Sequence, residues 1–328
     1  MNGRIVVTGG AGFIGRNLVA GLNERGEDRI IIVDRLGTSE KWSNLVGLQF
    51  EDFMDKDEFR RLVATDRLDG VRAILHMGAC SATTEKDASY LADNNYRFTR
   101  ELCEWALTHA ARFVYASSAA TYGDGALGYS DDDAITPTLI PLNMYGYSKH
   151  MFDVWALRNG LLGMIAGLKY FNVYGPFEDH KGDMRSVVHK AFGQIQETGK
   201  VRLFKSYRSE FGDGEQVRDF VYVKDAVDLT LRLLENPAMS GLFNCGTGKA
   251  RSWNALAEAV FAAMEKSPAI EYIEMPETLR GKYQYFTQAD MSKVRLAGYE
   301  RSFTSLEDGI REYVAEHLLP QYAEDTCK

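Results

Sequence analysis

The chain predicts an α/β protein built on a doubly wound parallel sheet, with a smaller mixed α/β lobe at its C-terminal side. Three observations carry that expectation. Aliphatic runs alternate with helix-patterned segments through the first half of the chain. The first run, Ile5-Val6-Val7, leads into Gly9-Gly10-Ala11-Gly12-Phe13-Ile14-Gly15, which reads as strand, tight turn and helix start. The second run, Ile30 to Val33, ends on Asp34, about 20 residues after the glycines, where the acidic residue of a dinucleotide-binding unit belongs.

Taken in order, strands are expected at Ile5–Thr8, Ile30–Asp34, Ala73–His76, Phe113–Ser117 and Ile165–Tyr170. Between them Arg16–Arg25, Asp57–Ala64, Tyr96–Ala110 and Tyr145–Asn159 carry helical patterning. This is the Rossmann arrangement, in which ligands sit beyond the carboxyl ends of the strands. His76-Met77-Gly78-Ala79 and Ala116-Ser117-Ser118 should therefore line a cleft. The second half is less regular. Gly175-Pro176 breaks the chain, Met184–Thr198 reads as helix and Lys205–Gln216 as a loop. A strand follows at Arg218–Val223, a helix at Asp225–Leu234 and a strand at Leu242–Cys245, with further helices at Trp253–Met264 and Leu306–Val314. The expected division is a dinucleotide-binding domain over residues 1–171, with 219–247 returning to it, and a substrate lobe over 172–218 and 248–328. Crossing connections between the two are expected rather than one linker.

Bulk properties narrow the function classes. A net charge of −8 argues against a nucleic-acid partner, because there is no excess of cations to release counterions. No apolar run reaches the roughly 20 residues of a membrane helix, and no secretory signal precedes the first strand, so a cytoplasmic protein with no membrane partner is expected. Cys80, Cys103, Cys245 and Cys327 are scattered without a CxxC pair or a Cys/His cluster, which reads as reduced thiols and no metal site.

The glycines assign themselves by position. Gly9 turns the chain, Gly12 lets the backbone approach a pyrophosphate, and Gly15 lets the helix pack close. Asp34 suits the free 2′-hydroxyl of NAD, whereas Arg35 and Lys41 suit the 2′-phosphate of NADP. Tyr145 and Lys149 stand four apart at a helix start and share a face. A phenol near pKa 10 is a poor base at neutral pH, so a neighbouring ammonium, with an oxidised nicotinamide ring nearby, is expected to favour the phenolate. Ser118 can hydrogen-bond the reacting oxygen beside Tyr145, with Ser117 as the rival for that role.

Together with Tyr170-Phe171-Asn172-Val173-Tyr174-Gly175-Pro176 and Arg218-Asp219-Phe220-Val221-Tyr222-Val223, these motifs resemble the extended short-chain dehydrogenases/reductases. His76 through Glu85, Glu178-Asp179-His180-Lys181-Gly182 and Gly281 through Asp290 resemble, more narrowly, the family of epimerases that act at C6 of an ADP-linked heptose. The resemblance spans nearly the whole chain. It implies transient oxidation of the heptose to a ketone with bound NADP (NAD being the other possibility), then hydride return on the opposite face. It implies Tyr145 as acid/base for one epimer and Lys181 for the other, with Ser118 and Lys149 completing the catalytic set. On the cofactor side it implies Gly9, Gly12, Phe13, Ile14, Gly15, Asp34, Arg35, Lys41, Lys56, Met77, Gly78, Ala79, Cys80, Ser81, Asn94, Lys149, Val173 and Lys181. On the substrate side it implies Ser118, Asn172, Asp183, Phe204, Arg218 and Tyr283, with His189 and Lys190 competing for one further position. It also implies a homo-oligomer, a pentamer by the family's habit. The alternatives are a UDP-hexose 4-epimerase built on the same Tyr/Lys/Ser core and a non-catalytic NADP-sensing protein. A 4,6-dehydratase fits less well, because Ala119-Ala120 follows Ser118 where an acidic pair would be needed.

Overall fold

Strands covered on both faces need apolar side chains at nearly every position, and the runs around Val6, Ile31 and Ile74 supply them. The computed structural model describes residues 3–280 and 283–326, so Gly281, Lys282 and Cys327 lie outside the described residues. In chain order the strands are β1 (Arg4–Thr8), β2 (Ile30–Asp34), β3 (Asp52–Asp55), β4 (Val71–His76), β5 (Arg112–Ser118), β6 (Ala166–Tyr170), β7 (Asn172–Tyr174), β8 (Val201–Phe204), β9 (Val217–Tyr222), β10 (Gly241–Cys245), β11 (Ala250–Ser252) and β12 (Ile270–Ile273). The chain divides into two compact units. The first holds Met1–Tyr170, Ala226–Cys245 and Met291–Glu300; the second holds Phe171–Asp225, Gly246–Asp290 and Arg301–Lys328.

The first unit is a seven-stranded sheet in the order β10-β6-β5-β4-β1-β2-β3, with every pairing parallel. Its order reverses between β1 and β4, and in such sheets the ligand crevice opens beyond the carboxyl ends at that point. The residues after Thr8 and His76 are therefore the first place to look for a site. Phe59, Ile74, Phe98, Phe113 and Phe152 pack in the core beneath it. His76 is fully buried at the end of β4, with its Nδ1 2.7 Å from the Thr8 hydroxyl and its Nε2 2.8 Å from the Thr99 hydroxyl. Burial lowers its pKa to about 3, so the imidazole is a neutral pin joining β4 to β1.

The second unit is mixed. β7 pairs parallel with β9, β9 antiparallel with β11, and β8 parallel with β12. Residues 219–225, expected to return to the dinucleotide-binding domain, lie in this unit. The reason is Asp219 on β9, whose carboxylate accepts from the backbone N–H groups of Thr247 (2.7 Å), Gly248 (2.9 Å) and Ala289 (3.0 Å), all in the second unit. Conversely, Met291–Glu300 lies with the first unit, where the Lys293 ammonium donates to the Asp131 carbonyl at 3.0 Å and to Asp133 at 2.7 Å. Among the described residues no helix is long and apolar enough to cross a membrane, and no cluster of His, Cys, Asp and Glu could hold a metal ion.

Candidate active site

The helix Met144–Arg158 starts where Asn143 caps it, the Asn143 side chain accepting from the Gly146 N–H at 2.8 Å. Gly146 sits so close to the turn Ala119–Tyr122 that a Cβ there would lie 2.7 Å from the Ala120 carbonyl oxygen. That approach sets the first helical turn against the end of β5. Tyr145 is half-buried there, and the Ser118 hydroxyl is its hydrogen-bonding neighbour. Ser117, the rival, is committed elsewhere: its hydroxyl donates to Asp153 at 2.7 Å inside the protein. Of the two serines, Ser118 is the one beside Tyr145.

Lys149, one turn beyond Tyr145, is buried, and its ammonium donates to the Ala116 carbonyl of β5 at 2.8 Å. A lowered Tyr145 pKa is the expectation for this ammonium together with an oxidised nicotinamide; on balance the protein's own groups act in the other direction. Burial raises the phenol above its ordinary value, with the Ser118 hydrogen bond opposing. Burial also lowers Lys149 to about 8, which the charge of Asp153 opposes. In both groups burial is the largest cause, because it acts against the charged form of each.

Beyond β1, the Gly9 backbone has φ +69°, and a Cβ on it would meet Gly78 backbone atoms at 2.8 Å. Gly15 is tighter still, its Cβ position falling 2.1 Å from the Gly9 carbonyl oxygen. Gly12 caps the helix Phe13–Glu24 and offers no side chain to the first-turn amides, so Phe13 and Ile14 open an anion-binding helix terminus. Asp34 fixes this turn from β2, its Oδ2 accepting from the Ala11 N–H at 2.9 Å, while Asn44 donates to the Ala11 carbonyl at 2.9 Å.

A cavity of about 250 Å³ opens here. Of the expected cofactor residues, Gly9, Asp34, Arg35, Lys41 and Lys56 line it from the β1 to β3 side. Gly78, Ala79, Cys80 and Asn94 line it from the other. Lys56 donates to the Asn94 side chain at 2.9 Å. Met77 and Ser81 flank that second segment, Met77 half-buried with its sulfur 3.5 Å from the Tyr170 hydroxyl and Ser81 exposed. A glycine cradle that side chains would fill, an uncapped helix N-terminus and three cations on the rim fit a dinucleotide. Asp34 also accepts from the Arg35 N–H at 2.7 Å and from Lys41 at 2.5 Å, and Arg35 pairs with Asp57.

The remaining expected residues belong to the second unit. Asn172 and Val173 open β7. Lys181 sits in the short 3-10 segment Asp179–Met184, which is interrupted at Gly182 (φ 54°). Burial lowers the Lys181 pKa, opposed by Glu178 and reinforced by Lys190. Glu178, fully buried, accepts from the Ser186 N–H at 2.5 Å and hydroxyl at 2.6 Å, anchoring the segment. Asp183 is exposed and its carbonyl accepts from Lys190 at 2.6 Å, while His189 lies 2.8 Å from Asp179. The Arg218 guanidinium lies over Trp253 at 5.5 Å and over Tyr283 at 5.1 Å, and Phe204 meets Tyr283 edge-on at 6.3 Å. Trp253 donates to the Tyr283 hydroxyl at 2.8 Å.

Sequence reasoning missed Asn44, Glu178, Trp253 and Asn95, whose side chain clasps the N–H and carbonyl of Cys80 at 2.9 Å each. Glu178 stood inside a motif already singled out. Asn95 lies in a π-helical segment, Ala92–Arg97, a local feature with no sequence signature.

The sheet order, the glycine cradle and the Ser118, Tyr145 and Lys149 set define a nicotinamide-dependent enzyme of the dehydrogenase type. The chain belongs to the NAD dependent epimerase/dehydratase family, whose model matches residues 5–246. More particularly, it is 58% identical over 314 residues, 95% of the chain and 97% of the relative, to an ADP-L-glycero-D-manno-heptose-6-epimerase of Nitratidesulfovibrio vulgaris. It is 48% identical over 326 residues, 96% and 98% of the two chains, to the protein of that name from Fusobacterium nucleatum. The crystal structure of the Helicobacter pylori ADP-L-glycero-D-manno-heptose-6-epimerase superimposes with a TM-score of 0.80 at 28% identity, covering 96% of each chain.

Proposed function

We propose that this protein interconverts ADP-D-glycero-D-manno-heptose and its L-glycero epimer at C6 of the heptose, through a 6-keto sugar. The observation that carries the reading is the placement of Tyr145 beside Ser118, on the helix whose Lys149 is gripped by β5, next to a dinucleotide cradle. The near-full-length identity of 48–58% to ADP-L-glycero-D-manno-heptose-6-epimerases supports the substrate. A nicotinamide nucleotide held over Gly9, Gly12 and Gly15 would supply hydride acceptance from C6 and hydride return to the opposite face. Tyr145 takes the proton from the C6 hydroxyl of one epimer, and Ser118 holds that oxygen by a hydrogen bond. Lys181, whose burial-lowered pKa makes its ammonium a readier proton donor and leaves more of its amine unprotonated to accept one, serves the other epimer, whose hydroxyl comes from the other side. Arg218, set between two aromatic faces, suits a diphosphate.

NADP is the proposed cofactor. Asp34 is paired with Lys41 and Asp57 with Arg35, so Arg35, Lys41 and Lys56 give the cavity rim the cations that a 2′-phosphate would draw on. A cytoplasmic homo-oligomer, with the pentamer as the expected state, completes the proposal, and sedimentation of the purified protein tests the subunit count. The reaction is tested by incubating the protein with ADP-D-glycero-D-manno-heptose and, separately, with UDP-glucose, following C6 and C4 stereochemistry by NMR. Inversion at C6 alone is expected. Inversion at C4 of the UDP-hexose would replace this reading with a 4-epimerase, and turnover of neither sugar with tight NADP binding would point to a sensor.

A further inference from the structure

One buried carboxylate of the first unit has no part in the reaction just described. Asp153 lies on the helix Met144–Arg158, one turn beyond Lys149 and two beyond Tyr145, and is fully buried. Its Oδ1 accepts from the Tyr115 hydroxyl at 3.0 Å, and its Oδ2 accepts from the Ser117 hydroxyl at 2.7 Å and the Lys169 ammonium at 2.9 Å. Lys169, equally buried on β6, also donates to the Thr121 hydroxyl at 2.7 Å and lies 5.0 Å from the Tyr122 ring centroid. The carboxylate thus ties the helix to β5, to β6 and to the turn that follows Ser118.

Such a pair is an expensive way to hold a helix. Apolar residues of matching volume often serve stability equally well, because both charges lose their hydration. What an apolar pair lacks is a field, and Asp153 supplies one. The titratable groups around Lys149 are few. His76 approaches from β4 and is neutral, and Tyr145 and Asp153 share its helix. Among the described residues β5 presents the Ala116 carbonyl to the Lys149 ammonium, while Tyr115 and Lys169 make their contacts with Asp153. Asp153 is the anionic side chain that opposes the desolvation of Lys149.

We propose that Asp153, clamped by Lys169 and Ser117, is a positioning residue of the epimerisation: it supplies the negative charge that holds the Lys149 ammonium and seats the helix bearing Tyr145 against Ser118. The inference rests on the reading above for the reaction it serves, and its test is separable from that reading.

The full-length protein, labelled with carbon-13 at lysine Cε, is titrated by NMR, the Lys149 signal being the one lost in Lys149→Met. A wild-type midpoint of about 8 is expected. Asp153→Asn combined with Lys169→Met removes both charges, leaves no lone buried ion, and is expected to lower the midpoint by about one pH unit. The alkaline limb of epimerisation should fall by the same amount, with KM for the sugar nucleotide unchanged. Lys169→Met alone leaves the Asp153 charge uncompensated and should raise the midpoint. A midpoint that stays put in a folded variant of either kind reduces the pair to packing and overturns the proposal. Wild-type protein that fails to epimerise would count against the reaction, whereas the NMR midpoint alone decides the hold of Asp153 on Lys149.

Discussion

Lys149 and Lys181 both lose basicity to burial, and in both a carboxylate opposes that loss, yet the two units achieve this by different construction. Lys149 stands in a 15-residue helix, capped by Asn143 and fastened to β5 by its own ammonium. Lys181 stands in a six-residue 3-10 segment broken at Gly182, and the segment is anchored by Glu178 through Ser186. The helix holds its lysine redundantly, through backbone hydrogen bonds, a cap and the Asp153 network. The short segment is held by side chains from its flank, Glu178 through Ser186, His189 on Asp179 and Lys190 on the Asp183 carbonyl. A group whose charge must persist through turnover suits the first setting. The proposed proton-exchanging role of Lys181 suits the second, which holds its lysine in a single short turn.

The sharpest break of this comparison comes from Tyr145→Phe and Lys181→Met. Each is expected to slow epimerisation by about 10²- to 10⁴-fold, with cofactor binding intact in Tyr145→Phe, measured by initial rates and nucleotide titration. Lys181→Met at near wild-type rate would leave Tyr145 as the lone acid/base and dissolve the pairing. The pH dependence sharpens it next. The folded pKa of Lys149 lies below its ordinary 10.5, so the ammonium is present below about 8 and is lost as pH rises through that value. Rates limited by that charge should fall about tenfold per pH unit on the alkaline side, as read from a rate profile.

Glu178→Gln should cost about 2 kcal/mol of stability, because the Ser186 donors lose an ionised acceptor. Denaturant melts would measure this, and an unchanged midpoint would show that the segment does not lean on Glu178. Arg35→Ala is expected to weaken NADP about tenfold and leave NAD unchanged. Equal losses for the two nucleotides in calorimetry would remove the argument for a 2′-phosphate. The smallest effect is expected from Asn143→Ala, about 1 kcal/mol, since the helix it caps has other supports. A larger loss than that of Glu178→Gln would reverse the comparison.

The two units were unequally legible in the sequence for a related reason. β1, β2 and β4 announce themselves because a strand buried on both faces must be apolar throughout. β3, β8, β11 and β12 do not, because they are short and mix charged with apolar residues, as Asp52-Phe53-Met54-Asp55 and Ile270-Glu271-Tyr272-Ile273 show. The glycine turn and the Tyr145 and Lys149 spacing are local and were readable as such. Their supports were not: Lys169 reaches Asp153 from another strand, and Asn95 reaches back to Cys80 from a π-helical segment. The direction of the Tyr145 pKa depends on burial, which spacing cannot report.

The neutral imidazole of His76 carries a practical consequence for anyone handling the protein in acid. Its folded pKa of about 3 lies below the ordinary 6.5, so the unfolded chain takes up a proton that the native chain refuses. Native stability therefore erodes as pH drops from about 6.5 toward 3, by several kcal/mol in all. The His76 imidazole sits at the joint between β4 and β1, beside the cavity proposed for the nucleotide. Acidification should release nucleotide and loosen the sheet in one event, making a low-pH step a route to the stripped enzyme only at the hazard of losing the fold.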